Sequence, residues 1–166
     1  MAFAAETNPV DALKAVFRRH ASGVAIITLN AENGDPVGFT ATSMTSLGAT
    51  PPLASFNVAS GASTWAHLCK AKYVAIHTLT ESNIPLAQKL AADHTKRFSD
   101  SDWMRGPHNL PIFDGVSSVL ICRIREIHSV ESNAVIIVEV IEGLVGTEAN
   151  PLIYHQRSYK TTADIV

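Results

Sequence analysis

Apolar and polar positions alternate with a two-residue period over several stretches of this chain, and with a helical period over two. Tyr73 to Leu79 sets Val74, Ile76 and Thr78 on one side and Tyr73, Ala75 and His77 on the other, which predicts a strand. Val24 to Leu29 is a short β-rich run, and Asn33-Gly34-Asp35-Pro36 is a turn signal. Val37 to Thr42 is therefore expected to pair back on it as a hairpin. Leu53 to Val58 predicts a further strand, and Val116 to Ile127 and Ala134 to Val145 predict two long ones. The helical period starts at Pro9, where Asn8 supplies the cap and Pro9 the first position. Leu13, Val16 and Phe17 follow at helical spacing, so a helix over Pro9 to Arg19 is expected to lay that face on the core. Ser82 or Asn83 is expected to cap a second helix through Leu86, Leu90 and Ala91.

Many strands with turn punctuation and only short helices predict a mostly β fold closed into a barrel with helical additions. Asp100 to Pro111, with Trp103, Gly106, Pro107 and Pro111, is the least regular segment. It reads equally as an ordered loop over a pocket or as a surface crossover packed by Trp103.

Composition adds bounds. A chain of 166 residues is expected to form one domain over 1–166, and 46% hydrophobic with 17% charged residues argues for a packed core. The 13 basic and 15 acidic residues give −2 with no basic run, which speaks against a nucleic-acid or acidic-membrane partner. The opening Met-Ala-Phe-Ala-Ala-Glu lacks the features of a secretory signal, and no stretch approaches the ~20 apolar residues of a membrane span. Cys69 and Cys122 lie far apart, the pattern of reduced thiols, so the cytoplasm is the expected compartment. The scarcity of charge suggests surface hidden against a partner.

The candidate chemistry lies between Val37 and Trp65. A Thr/Ser-rich segment runs to Pro51-Pro52, the apolar strand follows, and a second small polar cluster stands at Ser60, Gly61, Ser63 and Thr64. Hydroxyls and free backbone N–H groups on small residues can surround an anion, and Ser63 or Thr64 could cap a short helix through Trp65, Ala66 and Leu68. The plain alternative is that each cluster is a turn capping a strand. His20, His67, His77, His94, His108 and His128 show no metal spacing, and neither a CxxC, a P-loop nor a GxGxxG occurs. The histidines read as structural.

Five segments in order carry a resemblance: Phe17-Arg18-Arg19-His20-Ala21-Ser22-Gly23-Val24, Val37-Gly38-Phe39-Thr40-Ala41-Thr42-Ser43, Pro51-Pro52-Leu53, Lys96-Arg97-Phe98 and Pro151-Leu152-Ile153-Tyr154-His155. Together they resemble the short-chain flavin reductases, over about Phe17 to Tyr159. The resemblance implies an FMN-binding split β-barrel of Greek-key type with a few short helices, forming a homodimer with flavin sites along its interface. It implies an NAD(P)H:flavin oxidoreductase that passes hydride from NADH or NADPH to FMN or FAD and supplies reduced flavin to a partner flavin-dependent monooxygenase.

Residue by residue, it implies that Thr40, Ala41, Thr42 and Ser43 line the flavin ring and ribityl chain, helped by Ser46 and Asn57. Ser60, Ser63 and Thr64 would meet the phosphate, with Lys96 and Arg97 as the charged component and Phe98 packed beside them. Tyr154 and His155 would lie near the nicotinamide. No acid–base dyad is required, because the protein's work is to stack and orient two rings. One departure stands out: where the family carries Gly-Asp-His-Thr, this chain has Glu131-Ser132-Asn133-Ala134. Asn133 donates and accepts hydrogen bonds but neither titrates nor stacks as His does. The departure favours one alternative, a flavin carrier without a nicotinamide site; two others stand apart from it, a reductase that retains its flavin and a hydrolase using Cys122 with a nearby His.

Overall fold

The computed structural model describes residues 5–100 and 102–163. The first four residues, which belong to the leader reading, and Ser101 lie outside the described residues. In chain order the elements are α1 (Pro9–Arg19), β1 (Ser22–Gly23), β2 (Ala25–Asn30), β3 (Pro36–Ala41), β4 (Thr45–Ala49), β5 (Pro52–Ala59), α2 (Trp65–Leu68), β6 (Tyr73–Thr78) and α3 (Ile84–Ala91). There follow β7 (Trp103–Arg105), β8 (Pro111–Phe113), β9 (Ser118–Val130), β10 (Asn133–Val145), β11 (Ile153–His155) and β12 (Ser158–Lys160), with three short 3₁₀ turns between elements. The fold is mostly β with a few short helices.

Seven strands form one antiparallel sheet in the order β3-β2-β6-β9-β10-β5-β4. Its inner face is a single core: Ala25, Ile27 and Leu29 of β2, Val74 and Ile76 of β6, and Ala54, Phe56 and Val58 of β5 are buried in one cluster. Strands from opposite ends of the sheet share that cluster, and the rings of Phe39 and Phe56 stand 6.2 Å apart. The sheet is thus curled around its core. Its edges β3 and β4 are not paired with each other, so the closure expected from the sequence is not made by backbone hydrogen bonds among the described residues.

The intervening residues of β2 and β6 point outward into two smaller clusters, under α3 and under the β7–β8 hairpin. His77 holds that hairpin to the sheet. Its Nδ1 lies 3.2 Å from the Ile26 carbonyl, and the Phe113 N–H donates to its Nε2 at 3.2 Å. A carbonyl only accepts, so Nδ1 carries the proton and the ring is neutral. Burial pushes its pKa down to about 4, against the pull of the Ile26 carbonyl.

The structure also corrects local expectations. The helix over Pro9 to Arg19 forms with the Asn8 side chain accepting from Val10 and Asp11, but none of its residues is buried. The Thr/Ser segment contains an extra strand, β4, with all five residues exposed. The second helix is preceded by a 3₁₀ turn whose capping box is made by Thr80 and Asn83. The Asp100–Pro111 segment holds part of the β7–β8 hairpin and packs by Trp103 against Phe98, as the crossover reading expects.

Candidate functional site

The chain leaves β3 at Ala41 and enters β4 at Thr45, and the crossing segment passes over β5. There the Ser43 hydroxyl accepts from the Asn57 N–H at 2.9 Å, which seats the segment on the strand. A groove runs along this seam. Its widest part, about 680 Å³, lies between the crossing segment, the end of α1 and the β11–β12 hairpin, lined by Thr42, Ser43, Asn57, Tyr154 and His155 among others. A second part of about 430 Å³ shares Thr42, Ser43 and Asn57 and continues past Thr40 and Ala41 to Ser63, Thr64 and Arg97. A last recess of about 100 Å³ shares Ser63, Thr64 and Arg97 and ends on Phe98, His67 and His94.

Eleven of the residues that the resemblance points to therefore meet along one groove, drawn from four separate parts of the chain. Four do not. Ser46 faces an apolar depression with Leu53, Leu120 and Val140 on the outer side of β4. Lys96 is exposed in a 3₁₀ turn. Ser60 and Asn133 sit at the far end of β5 and β10, where the Ser60 N–H donates to the Ser132 carbonyl.

The groove's members have different tasks. The Thr40 hydroxyl donates to the Ala87 carbonyl at 2.6 Å and so ties β3 to α3 rather than facing a ligand. Ala41 is buried in the main core and contributes backbone only. The Arg97 guanidinium is half-buried and donates to the Gly38 carbonyl from Nη1 (2.8 Å) and to the Ala92 carbonyl from Nε and Nη2 (3.1 and 2.8 Å). Burial pushes its pKa down and Asp93 opposes this, yet an arginine stays cationic. Three of its five N–H groups are spent on carbonyls and two remain. Gly38 permits this arrangement: a Cβ there would lie 3.0 Å from both the Ile27 carbonyl oxygen and Cζ of Phe98.

Thr64 is the informative residue. It is 2% exposed, it lines the groove, and its Oγ1 has no hydrogen-bond partner. An orphaned buried hydroxyl is costly, and one beside a guanidinium in a recess fits the oxygen of an anion. Its place before α2 was legible from the sequence, but its side chain makes no cap. At the other end the His155 Nε2 lies 3.2 Å from the Arg19 carbonyl, so that nitrogen carries a proton. Sequence reasoning missed Lys14, Phe17, Arg18, Gln156 and Arg157 as groove residues. The available signal was the spacing of Lys14, Phe17 and Arg18 on one helix face.

The Cys122 thiol lies in the main core, and burial pushes it up to about 12, so the hydrolase alternative has no thiolate to work with. Among the described residues no group of three metal-ligating side chains occurs, and no helix is long and apolar enough to cross a membrane.

Comparison with known proteins gives the same picture. Residues 17–163 match the family model described as flavin reductase like domain. A flavin reductase domain protein from Arthrobacter sp. FB24 superposes with a TM-score of 0.91 at 42% identity, covering 95% of this chain and 98% of that one. The NADH:FMN oxidoreductase of Rhodococcus qingshengii is 35% identical over 88% of this chain and 78% of its own length. The reductase component of a 4-nitrophenol 4-monooxygenase/4-nitrocatechol 2-monooxygenase from Rhodococcus opacus is 32% identical over 90% of this chain and 80% of its own. With a groove of this shape and a family match over nearly its whole length, the chain belongs to the flavin reductase like domain family.

Proposed function

We propose that this chain is an NAD(P)H:flavin oxidoreductase that reduces FMN or FAD and supplies reduced flavin to a partner flavin-dependent monooxygenase. The observation that carries the reading is the orphaned Thr64 hydroxyl beside Arg97 at the closed end of the groove. The pair fits a flavin phosphate, with Ser63 as a second hydroxyl. Thr42, Ser43 and Asn57 would hold the ring system, and Tyr154 and His155 would bound the space for the nicotinamide. When bound, flavin supplies the ring nitrogen that accepts hydride from the nicotinamide C4. The protein's part is to bring two flat ligands together in one groove and keep them oriented. Among the residues lining the flavin portion, Arg97 is the one Lys, Arg, Asp or Glu, beside hydroxyls, the Asn57 amide, two histidines and apolar groups, and so sparse a fixed charge suits exchange of a diffusible product.

The reading includes one domain over 1–166, a cytoplasmic setting and a split barrel, to which the curled but unclosed sheet is suited. It includes a homodimer, supported by the unburied apolar side of α1. Anaerobic mixing with free FMN or FAD and excess NADH or NADPH tests it. Loss of the oxidised flavin's visible absorbance beyond one flavin per protein is expected, for at least one of the four pairs. Flavin that binds and is never bleached would instead make the chain a carrier, the reading that Asn133 in place of His favours.

A further inference from the structure

The wide end of the groove carries a charge pattern that the flavin reading leaves unused. Lys14, Arg18 and Arg157 line it, with His20 and His155, and no carboxylate does. In a chain with 15 acidic and 13 basic residues, a wall with three fixed cations and no anion is not average surface. The ordinary account of Arg18 is a solvated cation at the negative pole of α1. Two observations go beyond it.

First, no carboxylate faces these cations from within the groove. Lys14 and Arg18 flank Phe17 on one helix face. The nearest acid to Lys14 is Asp11 at 4.0 Å, and among the described residues Arg18 and Arg157 form no ion pair.

Second, Arg157 is placed at a conformational cost. His155 pairs with Ser158, so Gln156 and Arg157 form a two-residue hairpin loop with φ of 51° and 63°. Asn-Gly adopts that turn readily, whereas two long side chains adopt it against strain, of the kind stored at functional sites. The turn is fastened to the helix end: the Gln156 N–H donates to the Arg18 carbonyl at 3.1 Å, and His155 Nε2 to that of Arg19 at 3.2 Å.

One groove therefore has two cationic ends, Arg97 at the closed one and this trio at the open one, and two such ends call for two anionic ligands. We propose that Lys14, Arg18 and Arg157 bind the phosphates of the nicotinamide dinucleotide and set its affinity, an inference that rests on the hydride-donor reading above. The dinucleotide carries phosphate in two places, the pyrophosphate common to NADH and NADPH and the 2′-phosphate of NADPH alone.

The test uses Arg18→Gln and Arg157→Gln, with Arg19→Gln as a neighbour outside the groove. Each of the first two is expected to raise KM for the dinucleotide about tenfold, the loss of one charge-assisted contact, with kcat within about twofold. Reduction by N-benzyl-1,4-dihydronicotinamide, a donor without phosphate, is expected to move less than about twofold. Arg19→Gln is expected to keep the parent KM. Equal loss with NADH and NADPH assigns the trio to the pyrophosphate, and a larger loss with NADPH assigns it to the 2′-phosphate. The proposal is overturned by an unchanged KM in both variants, by an equal loss with the phosphate-free donor, or by an equal effect of Arg19→Gln. If the parent reduces no flavin with any donor, the function reading fails separately. Calorimetric binding of NAD⁺ and NADP⁺ to the same variants then decides the site: a tenfold weaker Kd upholds it and an unchanged one refutes it.

Discussion

Thr64 holds a buried hydroxyl to which no protein group bonds, which costs about 1–3 kcal/mol in the ligand-free protein. Thr64→Val keeps the shape and removes the cost, so it should raise the ligand-free melting temperature by roughly 2–4 °C per kcal/mol recovered. The same change should weaken FMN about tenfold, read by titration of flavin fluorescence. Opposite signs for stability and affinity separate a ligand-facing group from a packing one; a lowered melting temperature would refute the assignment. The two thiols make a second contrast. Cys69 is exposed, while burial pushes the core thiol of Cys122 up to about 12. A thiol reagent at neutral pH should therefore titrate one cysteine in the native protein and two after unfolding. At this scale the sequence marked where hydroxyls cluster but not what each one does. Thr40 and Arg97 look as available as Thr64 in the text of the chain, yet the carbonyls of Ala87, Gly38 and Ala92 occupy them. Those partners come from remote segments, and no local pattern encodes them.

Elements with a strong local signal came out where the pattern placed them. Asn8-Pro9 fixes the start of α1, and the alternation in β6 fixes the face of each residue. β4 escaped because its five residues are all exposed and carry no alternation; its partner is the edge of β5, which only the folded sheet supplies. β6 also places His77 between the main sheet and the β7–β8 hairpin, and a consequence in acid follows. In the unfolded chain the imidazole protonates near 6.5, and in the folded one near 4, so the unfolded state binds more protons between those values. The stability tied to neutral His77 is complete above about pH 6.5 and is lost as pH falls toward 4. That lowering corresponds to a contribution on the order of 3 kcal/mol. Exposed carboxylates add their own acid dependence, so the readout is a comparison. Urea midpoints at pH 7.5 and 4.5 should fall further for the parent than for His77→Gln, which keeps a donor and an acceptor but cannot titrate. Equal falls would mean that another group governs the acid limb.

The curled sheet brings the ends of the chain's first and last elements to one rim, and this is where sequence spacing and three-dimensional placement part most widely. The apolar period of α1 is read correctly from Leu13, Val16 and Phe17, but its destination is not the chain's own core. Val10, Leu13, Val16 and Phe17 are 57 to 65% exposed. A stripe of that kind on a charge-poor chain is unstable surface for a monomer and suits burial against a second copy. Leu13 and Val16 do not line the groove, so Leu13→Glu with Val16→Glu charges the stripe without replacing a member of the cationic trio. Sedimentation should give twice the chain mass for the parent and the single chain mass for the double variant. α1 also supplies Lys14, Phe17 and Arg18 to the groove wall, so an unfastened helix should raise KM for the dinucleotide. FMN affinity at the Thr64–Arg97 end, which α1 does not reach, should change little. A parent that sediments as one chain would leave the stripe without its proposed cover. A double variant that loses FMN along with the dinucleotide would mean that the second copy completes the flavin end as well, since this chain's own flavin residues lie outside α1.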